Sequence, residues 1–404
     1  MNVNGILLVI IVILIFSLWY ISDNRVRGGY TSWDTDKTTR ELINNIINVM
    51  NDSIKLRNYD YDVMRNTVLS ISKNLKNKHI IAVNKLFDEF KEQKIERWDT
   101  RLIKGIDAFE FIFAGIVEAY IHLYLIEGIE LRFEYEKMMC GSFNVILFCH
   151  VYKNQQFIGK RILRIRALDI NNETSSFQIV HDTKIDEMEI HGITINQTKG
   201  EIPIAIRNLQ YIYKLFAGSN AIVQPICSSY FLYHDFNNTI AVEWSLNECL
   251  YSEPPYQSHD DICKFAECMQ EVHRITANTG YNYFDWKKEN VFYDNVNDCY
   301  SIIDVDFIRD DTPIGEILCS IRVPPEVRTS HRNIANYIIL RYLWMCIKKL
   351  NAVGDDKTNV MDFAKKDYDD EFKEYLKNKL DIDNIGKITD EKVQNYLSTI
   401  IYSE

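Results

Sequence analysis

The spacing of apolar residues changes character several times along this 404-residue chain, and each change marks a region. Residues 6–21 are apolar at every position except Ser17; with Gly5 and Ser22 the run reaches about 18 residues, near the ~20 that cross a hydrocarbon core. Between residues 38 and 127 apolar side chains recur every three or four positions, as in Leu42, Ile43, Ile46, Ile47, Met50 and Ile54. That period, with no proline in the stretch, predicts several amphipathic helices. Near Ile129 the period becomes two: Leu131, Phe133 and Tyr135 alternate with charges, and residues 145–152 and 157–167 are apolar, β-branched runs joined by a polar turn. Three consecutive antiparallel strands are predicted there. Residues 202–216 return to helical spacing, 221–233 and 239–243 read as two more strands, and 260–276 as a helix. Two short strands, 291–294 and 300–304, flank a polar turn; a strongly apolar helix follows at 333–350, then three shorter helical segments within 359–401. The segments expected are an anchor (1–27), an α-helical region (28–128), a small β lobe (129–245) and a mainly helical lobe (246–404).

Charge and cysteine usage narrow the class. A net charge of −11 and a pI near 5.4 argue against nucleic-acid binding as the main function, and no nucleic-acid partner is expected. The nine cysteines lack C-x-x-C pairs, which points to reduced thiols rather than a disulfide framework or zinc site. At the N-terminus, Trp19 and Tyr20 stand where interfacial aromatics belong, and no basic residue precedes the apolar run. A membrane anchor in a lipid bilayer through residues 5–22 is therefore expected in preference to a cleaved leader. Arg25, Arg27, Lys37 and Arg40 follow it, which places the C-terminal part on the cytoplasmic or nucleoplasmic side of a single-pass protein. Residues 38–127 carry no metal-ligand or nucleophile spacing and read as a packing module or a surface for a protein partner.

Candidate chemistry concentrates in residues 282–306. Asp285 and Asn290 are five apart with Lys287 between them, and the expected hairpin returns Asp304 beside Asn290. Two carboxylates, a carboxamide and an ammonium group around one small volume suit magnesium and a phosphate-bearing substrate.

Asp285-Trp-Lys-Lys-Glu-Asn290, followed by Asp304-Val-Asp306, resembles the catalytic and metal-binding segments of the protein kinase superfamily. Val323-Pro-Pro-Glu326 is similar to that family's Ala-Pro-Glu. The resemblance implies a bilobal α+β fold, ATP and Mg2+ as cofactors, Asp285 as catalytic base, Lys287 on the γ-phosphate, and Asn290 with Asp304 on the metal. In the small lobe it implies phosphate contacts at Gly141 and Ser142, a strand cation at Lys160 (with Arg164 and Arg166 as competitors on the same face), and a hinge at 242–245 with nucleotide contacts at Glu243 and Ser245. The chain departs from the family in several places. Asn144 replaces a glycine, Tyr283-Phe284 replaces His-Arg, and Asn333 stands where an Asp is usual. Asp306 replaces a glycine, as a third ligand or a stiffener of its loop. The helix over 202–216 lacks a clear Glu partner for the strand cation: spacing falls on Gln210, so either Glu201 serves, or Glu187 or Glu189 does, or the ion pair is absent. A membrane-anchored Ser/Thr-type protein kinase with an unknown protein substrate is the reading this supports. The alternatives are a pseudokinase scaffold and a small-molecule kinase of the choline or aminoglycoside type. The Asn-, Ile-, Tyr- and Lys-rich composition also resembles envelope proteins of large insect DNA viruses.

Overall fold

A computed structural model describes residues 37–95, 109–134, 137–140, 144–169, 179–181, 201–235, 238–250, 254–305, 307–317, 323–352 and 368–402. The chain divides into two compact units: residues 1–210 with 225–249, and residues 211–224 with 250–404.

In the first unit four helices cover one face of an antiparallel sheet. The helices are α1 (Lys37–Leu56), α2 (Tyr61–Ile71), α3 (Asn77–Gln93) and α4 (Phe109–His122). The strands are β1 (Ile129–Phe133), β2 (Asn144–Lys153), β3 (Gln156–Asp169), β4 (Cys227–Asp235) and β5 (Asn238–Glu248), in the order β1-β2-β3-β5-β4, with a short sixth strand, Met139–Cys140, against β2. The three-strand meander and the following pair thus form where the alternation placed them. Leu42 and Ile46 of α1, Leu86 and Phe90 of α3, Phe113 and Val117 of α4, and Leu147, Leu163, Ile165, Val242 and Trp244 of the sheet belong to one buried cluster. The helical region and the sheet therefore share a core, because an amphipathic helix face and a sheet face each need the other to leave water.

Close approach of α4 to the sheet depends on Gly115. A Cβ there would lie 2.7 Å from Ile165 Cγ2 and 3.2 Å from Val242 Cγ1. After α4 a π-turn, Leu123–Glu127, is closed by Gly128 at φ 65°, a left-handed position that glycine takes without strain. Buried Glu118 of α4 accepts a 3.1 Å hydrogen bond from Trp244 Nε1 and fixes the depth of β5. Burial drives its pKa well above the usual carboxylate range, only partly offset by the Trp244 bond.

The edge strand β1 is tied to α3 by two acids. Lys85 pairs with Glu130, and Glu89 accepts the Phe133 backbone N–H at 2.7 Å. Glu89 is 6% exposed, and burial pushes its pKa from 4.5 to about 7 despite that hydrogen bond. Between those values the folded chain holds a proton that the unfolded chain has lost, so stability falls as pH rises from 4.5 to 7 and is level above. Glu89→Gln keeps an oxygen for Phe133 and removes the ionisation. We expect it to stabilise the protein at pH 8 by about 1–3 kcal/mol, net of burying a new amide N–H, and to flatten that pH dependence. Urea unfolding at pH 5 and pH 8 measures it; a variant less stable than wild type at pH 8 contradicts the assignment.

The second unit is mainly helical: α6 (His259–Thr276), α7 (His331–Asn351), α8 (Tyr368–Leu380) and α9 (Asp390–Ile401), with the C-terminal part of α5 (Ile204–Leu215). Ser258 caps α6 by accepting the Asp261 N–H at 3.1 Å, and Ser330 caps α7 by accepting that of Asn333 at 3.1 Å. Of the three helical segments expected within 359–401, α8 and α9 are present, joined by a 3-10 turn at Ile385–Lys387; residues 353–367 lie outside the described residues.

Two expectations need correction. The fold is a mixed helix-and-sheet architecture, but the transmembrane helix expected ahead of it does not appear: among the described residues no helix is long and apolar enough to cross a membrane. The run at residues 5–22 lies outside the described residues. The single-pass membrane localisation built on that run therefore has no support among the described residues, and the bilayer contact expected of it lies outside them. Helices α1 and α3 are amphipathic, with Lys, Glu, Asp and Asn spaced among the apolar positions, and they bury the apolar face in the protein.

Candidate active site

Two short antiparallel ladders bracket the segment that carries the candidate chemistry. Tyr281–Asn282 pairs with Ile308–Arg309, with Asn282 opposite Ile308. Val291–Asp294 pairs with Cys299–Ile302, with Val291 opposite Ile302. Residues 283–290 and 303–307 therefore connect the same two ladders and must run beside each other. The Ile303 N–H donates to the Asn290 carbonyl at 3.0 Å, which sets Asp304 one residue beyond a direct backbone contact with Asn290. The hairpin turn forms because Asp294 Oδ1 accepts the N–H groups of Val296 (2.9 Å) and Asn297 (3.2 Å), and Asp298 takes φ 52°.

Within this bracket Asp285, Lys287 and Asn290 are in direct contact. Lys287 Nζ is 2.6 Å from Asp285 Oδ2, and Asn290 Nδ2 donates to that oxygen at 2.8 Å and to the Asp285 carbonyl at 3.1 Å. Both donors converge on Oδ2, which leaves Asp285 Oδ1 as the acceptor open to a substrate. Asn290 is 5% exposed; its amide nitrogen is committed to Asp285 and Tyr283, so Oδ1 is the atom available to a cation. Magnesium takes hard oxygen donors, and the Asn290 carboxamide with the Asp304 carboxylate supplies them. Asp306 lies outside the described residues. Among the described residues no group of three or more His, Cys, Asp or Glu gathers to hold a metal.

Aromatic packing holds the loop. Trp286 is 3% exposed and meets Phe265 of α6 edge-on at 5.8 Å, and Tyr283 meets Trp286 at 5.0 Å and Phe307 at 5.1 Å. Where the resembled family has His-Arg, this chain buries Tyr283 and Phe284. A buried Phe284 gives no counter-charge for a phosphorylated loop.

In the first unit, Gly141 and Ser142 lie outside the described residues. The register pairs Lys160 with His150 and Arg166 with Asn144, so Arg166 occupies the strand end adjoining residues 141–143. Lys160 is about half exposed and pairs with Glu134 at 3.2 Å. Glu134 also takes His150 at 2.8 Å and Lys137, and Lys137 and Lys160 hold its carboxyl below the usual range. Glu134 was not among the expected partners of Lys160. Of those that were, Glu187 and Glu189 lie outside the described residues, and Glu201 is in a three-residue strand paired with Ile179–His181. Cross-strand neighbours on one face interact whatever their separation in sequence, a signal that needs the register.

Arg164, Arg166, Glu243 and Ser245 alternate with Leu163, Ile165, Val242 and Trp244, which face the helices. They thus lie on the opposite face of the sheet. Arg166 stands directly across from Glu243, and both are buried, as is Ser245. A buried polar row on a sheet face is informative, since such groups are costly without partners.

A further group was not anticipated. Asn333 Nδ2 donates to the carbonyls of Val327 (2.8 Å) and Ile385 (3.1 Å), and its Oδ1 accepts the Ile388 N–H at 2.8 Å. Beside it, Asp390 accepts from Arg332 (2.9 and 3.1 Å) and Asn336 (2.9 Å), and Asn336 Oδ1 lies 2.9 Å from His273 Nε2. Burial works to raise the Asp390 pKa; His273, Arg332 and Asn336 outweigh it and hold the carboxyl well below its ordinary value. His273 is 1% exposed and belongs to this scaffold. The network ties α6, α7 and α9 together behind Val323 and Pro324, both buried.

No family profile and no curated protein matches the chain. Among solved structures it is similar to that of the Cydia pomonella Granulovirus kinase, PK-1, with 10% sequence identity and a TM-score of 0.35, covering 66% of this chain and 93% of that one.

Proposed function

We propose that the chain is a kinase-like phosphotransferase that moves the γ-phosphoryl group of ATP to a hydroxyl, with a protein Ser or Thr as acceptor. The observation that carries this is the Asp285–Asn290 pair. Its hydrogen bonds consume Asp285 Oδ2 and Asn290 Nδ2 and leave two oxygens, one for a hydroxyl and one for a cation. In this reading the acceptor O–H donates to Asp285 Oδ1. As the new P–O bond forms and the bond to the ADP oxygen breaks, that proton passes to the carboxylate. Lys287, already held against Asp285, shares its charge with the transferred group. Asn290 and Asp304 would hold magnesium, which when bound offsets the charge of the phosphate oxygens. Glu243 and Ser245 would meet the nucleotide. For the strand cation, Arg166 is better supported than Lys160, since the register sets it at the end of β3 adjoining residues 141–143.

The test is label transfer from γ-labelled ATP with Mg2+ to a mixed Ser/Thr peptide substrate, beside Mg-ADP binding by calorimetry. Binding and transfer together are expected. Asn290→Ala is expected to weaken Mg2+-dependent ADP binding about tenfold or more. Lack of any Mg-ADP binding would overturn the reading. Binding without transfer supports a second one, a nucleotide-binding scaffold, which the engagement of Lys160 with Glu134 favours.

A further inference from the structure

Tyr283 is 2% exposed, and its hydroxyl lies inside the Asp285–Asn290 pair. Tyr283 Oη donates to the Asp285 carbonyl at 3.1 Å, and Asn290 Nδ2 approaches both that carbonyl (3.1 Å) and Tyr283 Oη (3.4 Å). The three groups close a small ring of hydrogen bonds. The phenolic proton is spent on Asp285, so only the lone pairs of Tyr283 Oη face Asn290. An asparagine carboxamide turns about a broad, roughly two-fold torsion, and its two orientations exchange a donor for an acceptor. Here the Asp285 carbonyl, Asp285 Oδ2 and Tyr283 Oη all present acceptors to the same nitrogen. Turning the carboxamide over would set its oxygen against all three. The ring of Tyr283 is itself clamped, edge-on to Trp286 at 5.0 Å and against Phe307 at 5.1 Å, so the hydroxyl has little freedom to leave.

We infer that Tyr283 is a positioning residue: its hydroxyl locks the Asn290 carboxamide with Oδ1 turned toward a divalent cation, and through the Asp285 carbonyl it fixes the loop that carries the base. This rests on the reading of Asn290 as a cation ligand given above. Tyr283→Phe removes the hydroxyl and keeps the ring, taking away the third acceptor around Asn290 Nδ2 and the phenolic donor to the Asp285 carbonyl. Loss of a partner that orients a metal ligand costs 10–100-fold in metal affinity.

The experiment measures Mn2+ binding to the full chain in the presence of ADP, by electron paramagnetic resonance, for wild type and three variants. Tyr283→Phe is expected to bind Mn2+ at least tenfold more weakly. Asn290→Ala should be weaker still, and Phe265→Leu, which loosens the packing on Trp286 without touching the hydroxyl, should stay near wild type. Thermal unfolding of each variant is followed alongside. Wild-type Mn2+ affinity in Tyr283→Phe, with affinity lost in Asn290→Ala, overturns the inference and leaves the phosphotransferase reading standing. Unchanged affinity in Asn290→Ala removes both. An equal loss in Phe265→Leu and Tyr283→Phe shows that packing and not the hydroxyl sets the affinity, and likewise overturns it. Should Tyr283→Phe fail to fold, Tyr283→Trp, whose Nε1–H supplies a donor without an acceptor, takes its place; wild-type affinity there overturns the inference too.

Discussion

Asp285→Asn is expected to lower phosphotransfer by about 10²–10⁴-fold while leaving Mg-ADP binding within about twofold. Asp285 Oδ2 already receives Lys287 at 2.6 Å and Asn290 at 2.8 Å, so proton acceptance rests on Oδ1. In Asp285→Asn the amide has no basic oxygen to give. Its NH2 must face either the two donors at the Oδ2 position, which repel it, or the acceptor hydroxyl, where it cannot take a proton. The first orientation also frees Lys287 from its counter-charge. Both routes remove catalysis; the second keeps an oxygen at the Oδ2 position for Asn290 Nδ2, so the oxygens assigned to the cation stay in place. Single-turnover label transfer, with calorimetric ADP binding as the companion measurement, gives the result. Transfer at the wild-type rate would remove Asp285 from the mechanism. A parallel fall in transfer and in ADP affinity would assign it to binding instead.

The second large effect concerns stability. Asn333 stands where the resembled family has an acid, and restoring that acid is expected to damage this protein. Asn333 is 5% exposed; its amide nitrogen bonds the carbonyls of Val327 and Ile385, and its oxygen accepts the Ile388 N–H. Asn333→Asp would point a buried carboxylate oxygen at two carbonyl oxygens, with no cation among its contacts. An uncompensated buried charge costs about 3–5 kcal/mol. Asn333→Ala, which only removes the three bonds and leaves their backbone partners to water or strain, is expected to cost about 2–3 kcal/mol. Urea unfolding at pH 7 measures both. An Asn333→Asp variant as stable as wild type would mean that the turn at Ile385–Lys387 is not held this way.

The asparagine also illustrates what reading a chain through a resemblance can and cannot do. The spacing of Asp285, Lys287, Asn290 and Asp304 was legible because it lies within twenty residues, where a loop, a hairpin and local hydrogen bonds set the geometry. The strand and helix periods were legible for a similar reason: burying one face imposes a period of 2 or 3.6 on the residues themselves. The partner of Lys160 was not legible. Glu134 and Lys160 are 26 residues apart, and only the pairing of β2 with β3, and the place of Glu134 beside Phe148, brings them together. The membrane span was read from the apolar run at residues 5–22 and the aromatic pair Trp19-Tyr20, which lie outside the described residues; the described helices of the first unit have apolar faces satisfied by the protein's own core.

The sequence alone carried the order of helices and strands and the local constellation of Asp285, Lys287 and Asn290. Each follows from periodicity or from spacing of a few residues. Tertiary structure alone decided that Arg166 stands opposite Asn144 and Lys160 opposite His150, that Glu89 and Glu118 are acids buried between helix and sheet, and that Tyr283 closes the Asp285–Asn290 pair. These depend on strand register, on burial and on which atom of a side chain is already spent, and none of the three is written in residue order.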